Sequence, residues 1–412
     1  MRKYVIIGNS AAAVGTVEGI RSVDPDGEIT LIADEPHHTY SRPLISYLLL
    51  GKTDEKRMLY RGKDFYKKNK VTPILGKRVT GIDPAKKTVT LDGGETLGYE
   101  KLMNATGSKP FVPPTKGYDT VKNSFTFMTL DSAKAVGKKL KPDSRVLIVG
   151  AGLIGLKAAE AVAATAKELT VIDLADRILP SILDLDAGKI MQKHIEEKGT
   201  RILLGTSVER YEGNVAHLKN GETIDFDILI TAVGVRPNIE LVRDAGGKVG
   251  RGIVTDQTQL TSLPDVYAAG DCTESYDLSS GETKILALLP NAYMQGEVAG
   301  KNMAGGEAAY DKAIPMNAIG FYGLHIITAG SYNDDDAYTV KDGENYKRLF
   351  FREGRLVGFI LMGKEIARAG IYTSLIRERI VVETVDLPLL KEKPQLLLFG
   401  KDVRKQKLSN HA

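Results

Sequence analysis

The sequence predicts an α/β protein with two parallel-sheet units and a smaller α+β region at the C-terminal end. Two observations predict the parallel units: a strand, a glycine-bearing turn, a helix and a second strand follow one another from residue 3 and again from residue 145. A third predicts the last region, because YKRLFFREGRLVGFILMG has the pattern of two strands joined by a Glu-Gly turn, followed by the helix EIARAGIYTSLIRERI. At 412 residues the chain is too long for one hydrophobic core, so we expect several domains.

The first unit starts with the strand KYVII, which leads into the turn GNSAAAVG and a helix. The turn keeps Gly8 but has Ser10 and Ala13 where a nucleotide-binding turn carries further glycines, and small side chains can still permit a close approach. Taken alone, the segment could equally be a buried strand and helix, but its position before a second copy favours nucleotide binding. We assign Gly8, Ser10, Ala11, Ala12 and the acids that end the next strand, Asp34 and Glu35, to this site.

The second unit has the complete GxGxxG pattern, in RVLIVGAGLIGLKAAEAVAA, before a strand that ends at Asp173. Glycines let backbone N–H groups approach a pyrophosphate, the helix N-terminus favours its negative charge, and the acid hydrogen-bonds a ribose. Asp173 follows Gly150 by 23 residues, and its carboxylate favours NADH over NADPH because it would repel a 2′-phosphate. We assign Gly150, Gly152, Leu153, Ile154, Gly155 and Asp173 to this site.

Two such turns in one chain predict two dinucleotides that lie face to face. Transfer of hydride or electrons requires contact between the reactive rings of two cofactors. The repeated unit therefore predicts an oxidoreductase.

The composition excludes other classes of function. The net charge is only +4, from 56 basic and 52 acidic residues without a long basic stripe, which argues against a nucleic-acid partner. No apolar run approaches the roughly 20 residues of a membrane span. The single cysteine, Cys272, cannot form an intramolecular disulfide, a dithiol pair or a cysteine metal site. We expect a cytoplasmic protein without a metal, and we interpret His37 and His38 as residues of a solvent-facing loop.

The excess positive charge lies in residues 389–412, where six Lys and Arg side chains stand against Glu392 and Asp402. This tail could dock an acidic protein partner. The alternative, which we prefer, is a frayed and solvated terminus.

Further motifs follow in order along the chain: LMNATGSKP, ITAVGVRPN, VYAAGDC, LLPNAYMQGEVAGKNMAG and AGIYTSLIRER. Together with the two turns they resemble the FAD-dependent pyridine nucleotide-disulfide oxidoreductase superfamily, in particular its NADH:rubredoxin reductase, NADH oxidase and nitrite reductase flavoprotein branch. The resemblance covers nearly the whole chain. It implies two Rossmann-like domains: an FAD-binding domain in two parts, residues 1–112 and 240–313, and an NAD-binding domain at 113–239. A C-terminal α+β interface domain would follow at 314–412.

The resemblance also implies which residues contact the cofactors. In YSRP, Arg42 and Pro43 would lie along the flavin and its phosphates, although a loop with a helix-starting proline is the simpler alternative. Asp271 occupies the place of the aspartate that hydrogen-bonds the FAD ribityl chain. The implied FAD contacts are Arg42, Pro43, Val79, Ala105, Thr106, Gly107, Asp271, Asn291 and Ala292, and Gly234 joins the NAD(H) site.

The chain departs from the family where many relatives carry a redox cysteine. The corresponding stretch, EPHHTYSRPLISYLL, has no thiol, which excludes disulfide reductase and cysteine-sulfenate peroxidase chemistry. We interpret Cys272 as a small buried side chain rather than a nucleophile.

A second departure concerns Lys157 and Tyr47, which we assign as candidate catalytic residues. Many relatives have a glutamate and a lysine at these two positions, close to the flavin and the nicotinamide. One hypothesis is that Lys157 places a positive charge near flavin N1 and N5 or the NAD phosphates and stabilises reduced flavin. The alternative is a surface ion pair with Glu160, three residues along the helix.

The expected function is hydride transfer between NAD(H) and FAD, with electrons passing to or from a small redox protein such as rubredoxin or ferredoxin. Dioxygen as the acceptor, as in an NADH oxidase, is the alternative. A flavoprotein subunit of a larger assembly and a redox sensor are further hypotheses. The sequence permits a homodimer or a hetero-oligomer and names no single acceptor.

Overall fold

The computed structural model describes residues 2–332 and 336–409. Residues 410–412, the last three of the basic tail, lie outside the described residues. Within the described ranges, two five-stranded parallel sheets and one five-stranded antiparallel sheet form the framework.

The elements follow one another in three stretches. Up to residue 110 they are β1 Lys3–Ile7, α1 Ala11–Arg21, β2 Glu28–Ala33, α2 Ile45–Leu49, α3 Phe65–Lys68, β3 Val71–Leu75, β4 Val79–Asp83, β5 Thr88–Leu91, β6 Thr96–Gly98, β7 Lys101–Asn104 and β8 Ser108–Pro110. Next come β9 Ser124–Phe125, α4 Leu130–Lys139, β10 Arg145–Val149, α5 Leu153–Ala163, β11 Glu168–Ile172, α6 Leu185–Glu196, β12 Arg201–Leu203, β13 Val208–Glu212, β14 Val215–Leu218, β15 Thr223–Asp225, β16 Ile228–Thr231 and β17 Val235–Pro237. The last stretch contains α7 Glu240–Asp244, β18 Ile253–Val254, β19 Val266–Ala268, β20 Thr273–Asp277, β21 Glu282–Lys284, α8 Leu289–Met303, β22 Met316–Phe321, β23 Leu324–Gly330, β24 Ala337–Asp342, β25 Asn345–Arg352, β26 Arg355–Met362, α9 Ala369–Arg377, α10 Leu387–Glu392 and α11 Lys401–Ser409. Short 3₁₀ turns occur at Arg42–Leu44, Tyr118–Thr120, Gly363–Ile366, Val382–Thr384 and Leu396–Leu398.

The first unit is the parallel sheet with strand order β19-β7-β1-β2-β3 and the helices beside it. Its central strand β1 is apolar and buried at four of five positions, as expected for a sheet covered on both faces. Strand β19 joins this sheet although it follows the second unit in the chain. The second unit is therefore inserted into the first.

The second unit is the parallel sheet with strand order β12-β11-β10-β16-β9. Its strands come from one uninterrupted stretch of the sequence. Two chain segments connect the units, and they pair as the antiparallel strands β8 and β17, with Arg236 beside Lys109. The predicted boundaries at residues 112 and 239 fall just beyond these strands and stay predictions.

The C-terminal unit is the antiparallel sheet β22-β23-β26-β25-β24 with helices α9 to α11. The predicted pair of strands joined at Glu353 and Gly354 is confirmed as β25 and β26. The helix predicted over 365–380 is shorter and begins at Ala369, because Arg368 has a left-handed φ of 71°. The expectation of a frayed tail was wrong for residues 401–409, which form α11, with Lys407 Nζ 2.6 Å from a Glu378 oxygen. Together the three units confirm the predicted fold class.

Helices α1 and α8 pack backbone to backbone, which joins the two parts of the first unit. A β-carbon at Gly296 would lie 2.0 Å from the Ala12 carbonyl oxygen, and one at Gly15 would lie 2.2 Å from the Tyr293 carbonyl oxygen. The small residues of α1 therefore have a packing role as well as a place beside the turn.

The second and C-terminal units share one hydrophobic core. Phe321 and Ile360 of the antiparallel sheet belong to the same buried cluster as Leu156 and Val171 of the second unit. The C-terminal unit is thus packed against the second parallel sheet.

Candidate functional site

The two glycine turns have nearly the same backbone geometry. Gly8 N donates to Ile32 O at 2.8 Å, and Gly150 N donates to Ile172 O at the same distance. Both glycines have positive φ angles, 119° and 114°. The degenerate first turn thus adopts the same hydrogen-bonded shape as the complete second one.

Both turns end at a helix N-terminus with free backbone donors. Ser10 caps α1 without a hydrogen bond from its side chain to the backbone, and Gly152, which caps α5, has no side chain that could accept one. Neither helix has an acidic residue in its first turn. Free N–H groups and the helix dipole favour a bound phosphate at such a position.

A cavity of about 580 Å³ extends from the first turn between the first unit and the connecting strands. Most of the predicted FAD contacts line it: Gly8, Ser10, Ala11, Ala12, Asp34, Glu35, Arg42, Val79, Ala105, Thr106, Gly107, Asp271 and Ala292. Pro43 and Asn291 are not among the lining residues. Asn291 is buried, and its amide side chain bonds Tyr310 Oη at 2.6 Å and Ile314 O at 3.3 Å.

The two acids after β2 have different surroundings. Glu35 is half-buried, forms an ion pair with Arg42 and accepts a 2.7 Å hydrogen bond from Tyr40 Oη. Asp34 is exposed, and its nearest cation is Arg78 at 3.7 Å. Arg42 therefore holds Glu35 at the wall of the cavity, so its role goes beyond the simpler alternative of a loop with a helix-starting proline.

Asp271 faces the cavity from the loop that follows β19. Ser108 Oγ donates to its carboxylate at 3.2 Å, and burial raises the pKa of Asp271 above its ordinary value. A buried carboxylate with spare acceptor capacity suits a hydroxyl-rich ligand segment. Its neighbour Cys272 is completely buried in the core, as predicted.

Sequence reasoning missed part of the cavity wall. Lys77 and Arg78 come from the β3–β4 connection, Thr80 comes from β4, and Asn238 comes from the second connecting segment. Lys77, Arg78 and Thr80 carry no recognisable motif, whereas Asn238 ends the motif ITAVGVRPN but was not assigned to the FAD site. His37 also lines the cavity and lies 2.9 Å from Asp131, so the expectation that it faces solvent was wrong.

The expectation of a solvent-facing side chain was also wrong for the second histidine, His38. His38 is half-buried, and its Nδ1 lies 3.1 Å from the Thr39 carbonyl oxygen. The described residues contain no group of three or more His, Cys, Asp or Glu side chains that could hold a metal ion.

In the second turn, the three glycines have distinct structural roles. A β-carbon at Gly150 would lie 2.3 Å from the Ala232 carbonyl oxygen, and one at Gly155 would lie 1.9 Å from the Gly150 carbonyl oxygen. A β-carbon at Gly152 would meet no atom within 4 Å. Gly150 and Gly155 therefore build the turn, while Gly152 leaves open space on its ligand side.

The remaining predicted NAD residues surround this turn. The Asp173 carboxylate accepts hydrogen bonds from Ala151 N at 2.6 Å and Ala175 N at 2.8 Å, so it lies directly beside the turn. Leu153 and Ile154 are half-buried in the first turn of α5, and Gly234 is exposed with a φ of 119°. Arg177 pairs locally with its neighbour Asp176 at 2.8 Å.

Lys157 and Tyr47 lie together, outside the residues that line the large cavity. Lys157 Nζ is 4.9 Å from the centre of the Tyr47 ring. The ammonium also pairs with Glu160 and donates to the Gly320 carbonyl oxygen at 3.2 Å. The ion pair exists, but its side chains are only 14% and 13% exposed, so it is not the surface pair expected as the alternative.

The geometry fits two dinucleotides. The cavity at the first turn lies within the roughly 300–1,000 Å³ of ligand sites and joins free helix N–H groups to a buried carboxylate, which suits the phosphates and hydroxyls of FAD. The second turn offers free N–H groups, open space at Gly152 and the Asp173 carboxylate, which suits NAD(H).

Comparison with known proteins identifies relatives over nearly the whole length. The chain is 31% identical over 389 residues to the NADH-dependent phenylglyoxylate dehydrogenase subunit epsilon of Aromatoleum evansii, covering 92% of each chain. It is 34% identical to an NADH oxidase of Methanocaldococcus jannaschii, over 75% of this chain and 71% of that protein. The NADH-rubredoxin oxidoreductase of Clostridium acetobutylicum is 27% identical, over 89% of this chain and 94% of that protein. Against two further curated relatives, at 30% identity, the chain spans only about half of the relative's length.

A solved structure shares the fold. The NAD-dependent persulfide reductase from A. fulgidus superposes with a TM-score of 0.84 at 27% identity, over 93% of this chain and 78% of that one. Residues 315–380 match the rubredoxin NAD+ reductase C-terminal domain. Residues 2–296 match the pyridine nucleotide-disulphide oxidoreductase family. The predictions of an NAD(P)H oxidoreductase and of FAD and NAD(H) as cofactors are thereby confirmed. The chain belongs to the pyridine nucleotide-disulphide oxidoreductase family.

Proposed function

We propose that this protein transfers hydride between NADH and FAD and exchanges electrons with a small redox protein of the rubredoxin or ferredoxin type, without a cysteine relay. Family membership and the likeness to an NADH-rubredoxin oxidoreductase support the proposal. Bound FAD supplies the ability to take up a hydride and release electrons one at a time. We place this activity in the cytoplasm.

The observation that carries the proposal is the state of the only thiol. Cys272 is the sole cysteine in the sequence, it is fully buried, and burial raises the pKa of its thiol to about 11. Its Sγ lies 3.3 Å from the Ala269 carbonyl oxygen. A buried, protonated thiol is a poor nucleophile, so electrons have to leave the flavin site directly.

The residues of the chain then bind and orient the two cofactors. We propose that N–H groups of the first turn hold the FAD pyrophosphate, that Glu35 and Asp271 accept hydrogen bonds from its hydroxyls, and that Arg42 anchors Glu35. The second turn would hold the NADH pyrophosphate, with Asp173 on the ribose. The position of Arg42 and Asp271 on the cavity wall supports this assignment.

The proposal is tested by reducing the FAD-loaded protein anaerobically with NADH and then adding electron acceptors in turn. We expect NADH to bleach the flavin absorbance, and oxidised rubredoxin or ferredoxin to restore it rapidly. Cys272→Ala should behave as the wild type does. Loss of turnover in that variant would contradict the direct route.

Two other outcomes would point to the alternatives. Faster reoxidation by dioxygen than by either carrier would favour an NADH oxidase, in keeping with the likeness to the M. jannaschii protein. The whole-length likeness to a dehydrogenase subunit favours a second candidate, a flavoprotein subunit of a larger assembly. A stable reduced state that no acceptor discharges, together with stable co-purification of a partner, would support the subunit.

A further inference from the structure

The tip of the β22–β23 hairpin is held by the second unit. Tyr322 and Gly323 form the tip with φ angles of 48° and 92°, the positive values that a tight hairpin turn requires. Tyr322 O lies 3.2 Å from His194 Nε2, and its phenolic oxygen lies 3.2 Å from Thr200 Oγ1. Phe321, just before the tip, is completely buried in the core shared with the second unit.

Lys157 and Glu160 bind the backbone on either side of Phe321. Lys157 Nζ donates to Gly320 O at 3.2 Å, and Glu160 Oε1 accepts from Tyr322 N at 2.9 Å. The two side chains also pair with each other and are almost buried. Each charge therefore has both an ionic partner and a backbone partner, which offsets the cost of burying it.

The same ammonium touches helix α2, which comes early in the chain and packs against α4 and α5. The ring of Tyr47, on α2, lies 4.9 Å from Lys157 Nζ, and the Phe321 ring lies 5.6 Å away on the hairpin. Such distances allow a cation–π attraction. Lys157 is thus a point where α2, α5 and the hairpin of the C-terminal unit meet.

We propose that Lys157 and Glu160 form a clasp that fixes helix α5 against the hairpin tip and so positions the NADH-binding turn for hydride transfer. Helix α5 begins at Leu153, directly after the second turn, so Lys157 lies one turn of helix from the proposed pyrophosphate site. A small shift of this helix would move the nicotinamide relative to the flavin. Lys157 is a positioning residue in this view, and the inference rests on the proposed function.

An electrostatic role predicts a different result. If the charge of Lys157 stabilised reduced flavin, Lys157→Met would lower the flavin midpoint potential and Glu160→Gln would raise it, because the two variants remove opposite charges. A clasp predicts that both variants act in the same direction, since either one loosens the hairpin tip.

The test is stopped-flow reduction of the FAD-loaded protein by saturating NADH, together with the midpoint potential of each variant. We expect Lys157→Met and Glu160→Gln each to slow flavin reduction about tenfold or more, because small misplacements of reacting groups are costly. The midpoint potential should stay unchanged. Lys157→Arg keeps the charge and the donor and should recover most of the rate. Lys193→Met, at an exposed i,i+4 pair of the same unit, is the matched control and should match the wild type.

Midpoint potentials that move in opposite directions, or rates equal to the wild type, would overturn the clasp. If a lone buried charge prevents folding, the double variant Lys157→Met with Glu160→Gln removes both charges. It should still be slow if the clasp positions α5, and it should return to the wild-type rate if charge is the cause. The measurement uses only NADH and FAD. A wild type that NADH fails to reduce would therefore refute the proposed function, whereas a reducible wild type with equally fast variants would refute only the clasp.

Discussion

Replacing Gly152 by alanine should weaken NADH binding without weakening the fold. Gly152 has a φ of −81°, which alanine adopts readily, and its added β-carbon would meet no atom within 4 Å. The same substitution at Gly150 meets the Ala232 carbonyl oxygen at 2.3 Å at a φ of 114°. The pair of variants therefore separates ligand contact from the construction of the turn.

The magnitudes follow from these geometries. In the proposed NADH site, a methyl group at position 152 would occupy the space in which the pyrophosphate accepts backbone hydrogen bonds. Loss of one bond to a charged group costs about 1.5–3 kcal/mol, or roughly a 10- to 150-fold higher Kd. At position 150 the strained φ costs about 1–3 kcal/mol and the overlap costs about 1–3 kcal/mol more, both at the expense of the fold. If all 412 residues unfold cooperatively, that cost should lower the Tm by at least about 2 °C, and by more if the second unit unfolds separately.

Binding of NAD+ to the FAD-loaded protein, measured by calorimetry, gives the Kd without electron transfer, and circular dichroism gives the Tm. Gly152→Ala should raise the Kd and leave the Tm of the free protein unchanged, and Gly150→Ala should lower the Tm as well. An unchanged Kd for Gly152→Ala would show that the pyrophosphate does not lie on this turn. A Tm as low as that of Gly150→Ala would refute the geometric argument.

Three further substitutions or treatments test the packing and the buried groups. Gly296→Ala should lower the free energy of unfolding by about 1–3 kcal/mol, because its β-carbon would overlap a backbone carbonyl of α1. The variant should also release FAD more readily, which is measured as free flavin fluorescence. Gly370→Ala, whose β-carbon would meet no atom within 4 Å, is the control and should show neither effect. Burial opposes the charge of Asp277, but Lys284 and two serine hydroxyls outweigh it and lower its pKa. The Asp277 carboxylate therefore stabilises the folded protein at pH values above its pKa of about 4 in the unfolded chain. This stabilisation is lost as the pH falls through the lower pKa that Asp277 has in the folded protein. Asp277→Asn should lower the free energy of unfolding by about 1–3 kcal/mol near neutral pH, measured by chemical denaturation. Below about pH 4 the unfolding free energies of the variant and the wild type should become more similar. Iodoacetamide at pH 8 should not modify Cys272 in the folded protein, because burial raises the pKa of its thiol to about 11. In denaturant the reagent should modify it, and mass spectrometry measures both outcomes.

The parts that sequence predicted well are those set by neighbouring residues. The turns at Gly8 and Gly150 depend on φ angles and small side chains within a few positions, so their patterns are visible directly. The strand pair around Gly354 was equally local. The family resemblance added Arg42 and Asp271, which do lie on the wall of the cavity.

The parts that sequence could not predict depend on contacts between distant segments. The pairing of Lys157 with Glu160 was readable from their spacing, but its burial was not, because Gly320 lies 163 residues away. Arg78 reaches the cavity through the path of the β3–β4 connection, which no motif marks. Ala12 was interpreted only as a small residue of a turn, whereas its carbonyl lies against α8.

The contact between α1 and α8 also sets an order of folding. The second sheet takes its strands from residues 124–231 without interruption, whereas the first sheet needs β19 and α1 needs α8, which ends at Met303. Gly296 and Ala12, which touch, are 284 residues apart in the chain. Because distant contacts form slowly, we expect the inserted second unit to fold before the first unit. Until α8 has been made, the face of α1 that packs against α8 stays uncovered. A chain that stops before residue 289 would never cover that face, so the first unit depends on synthesis of about three-quarters of the 412 residues, even though its nucleotide turn is among the first residues made.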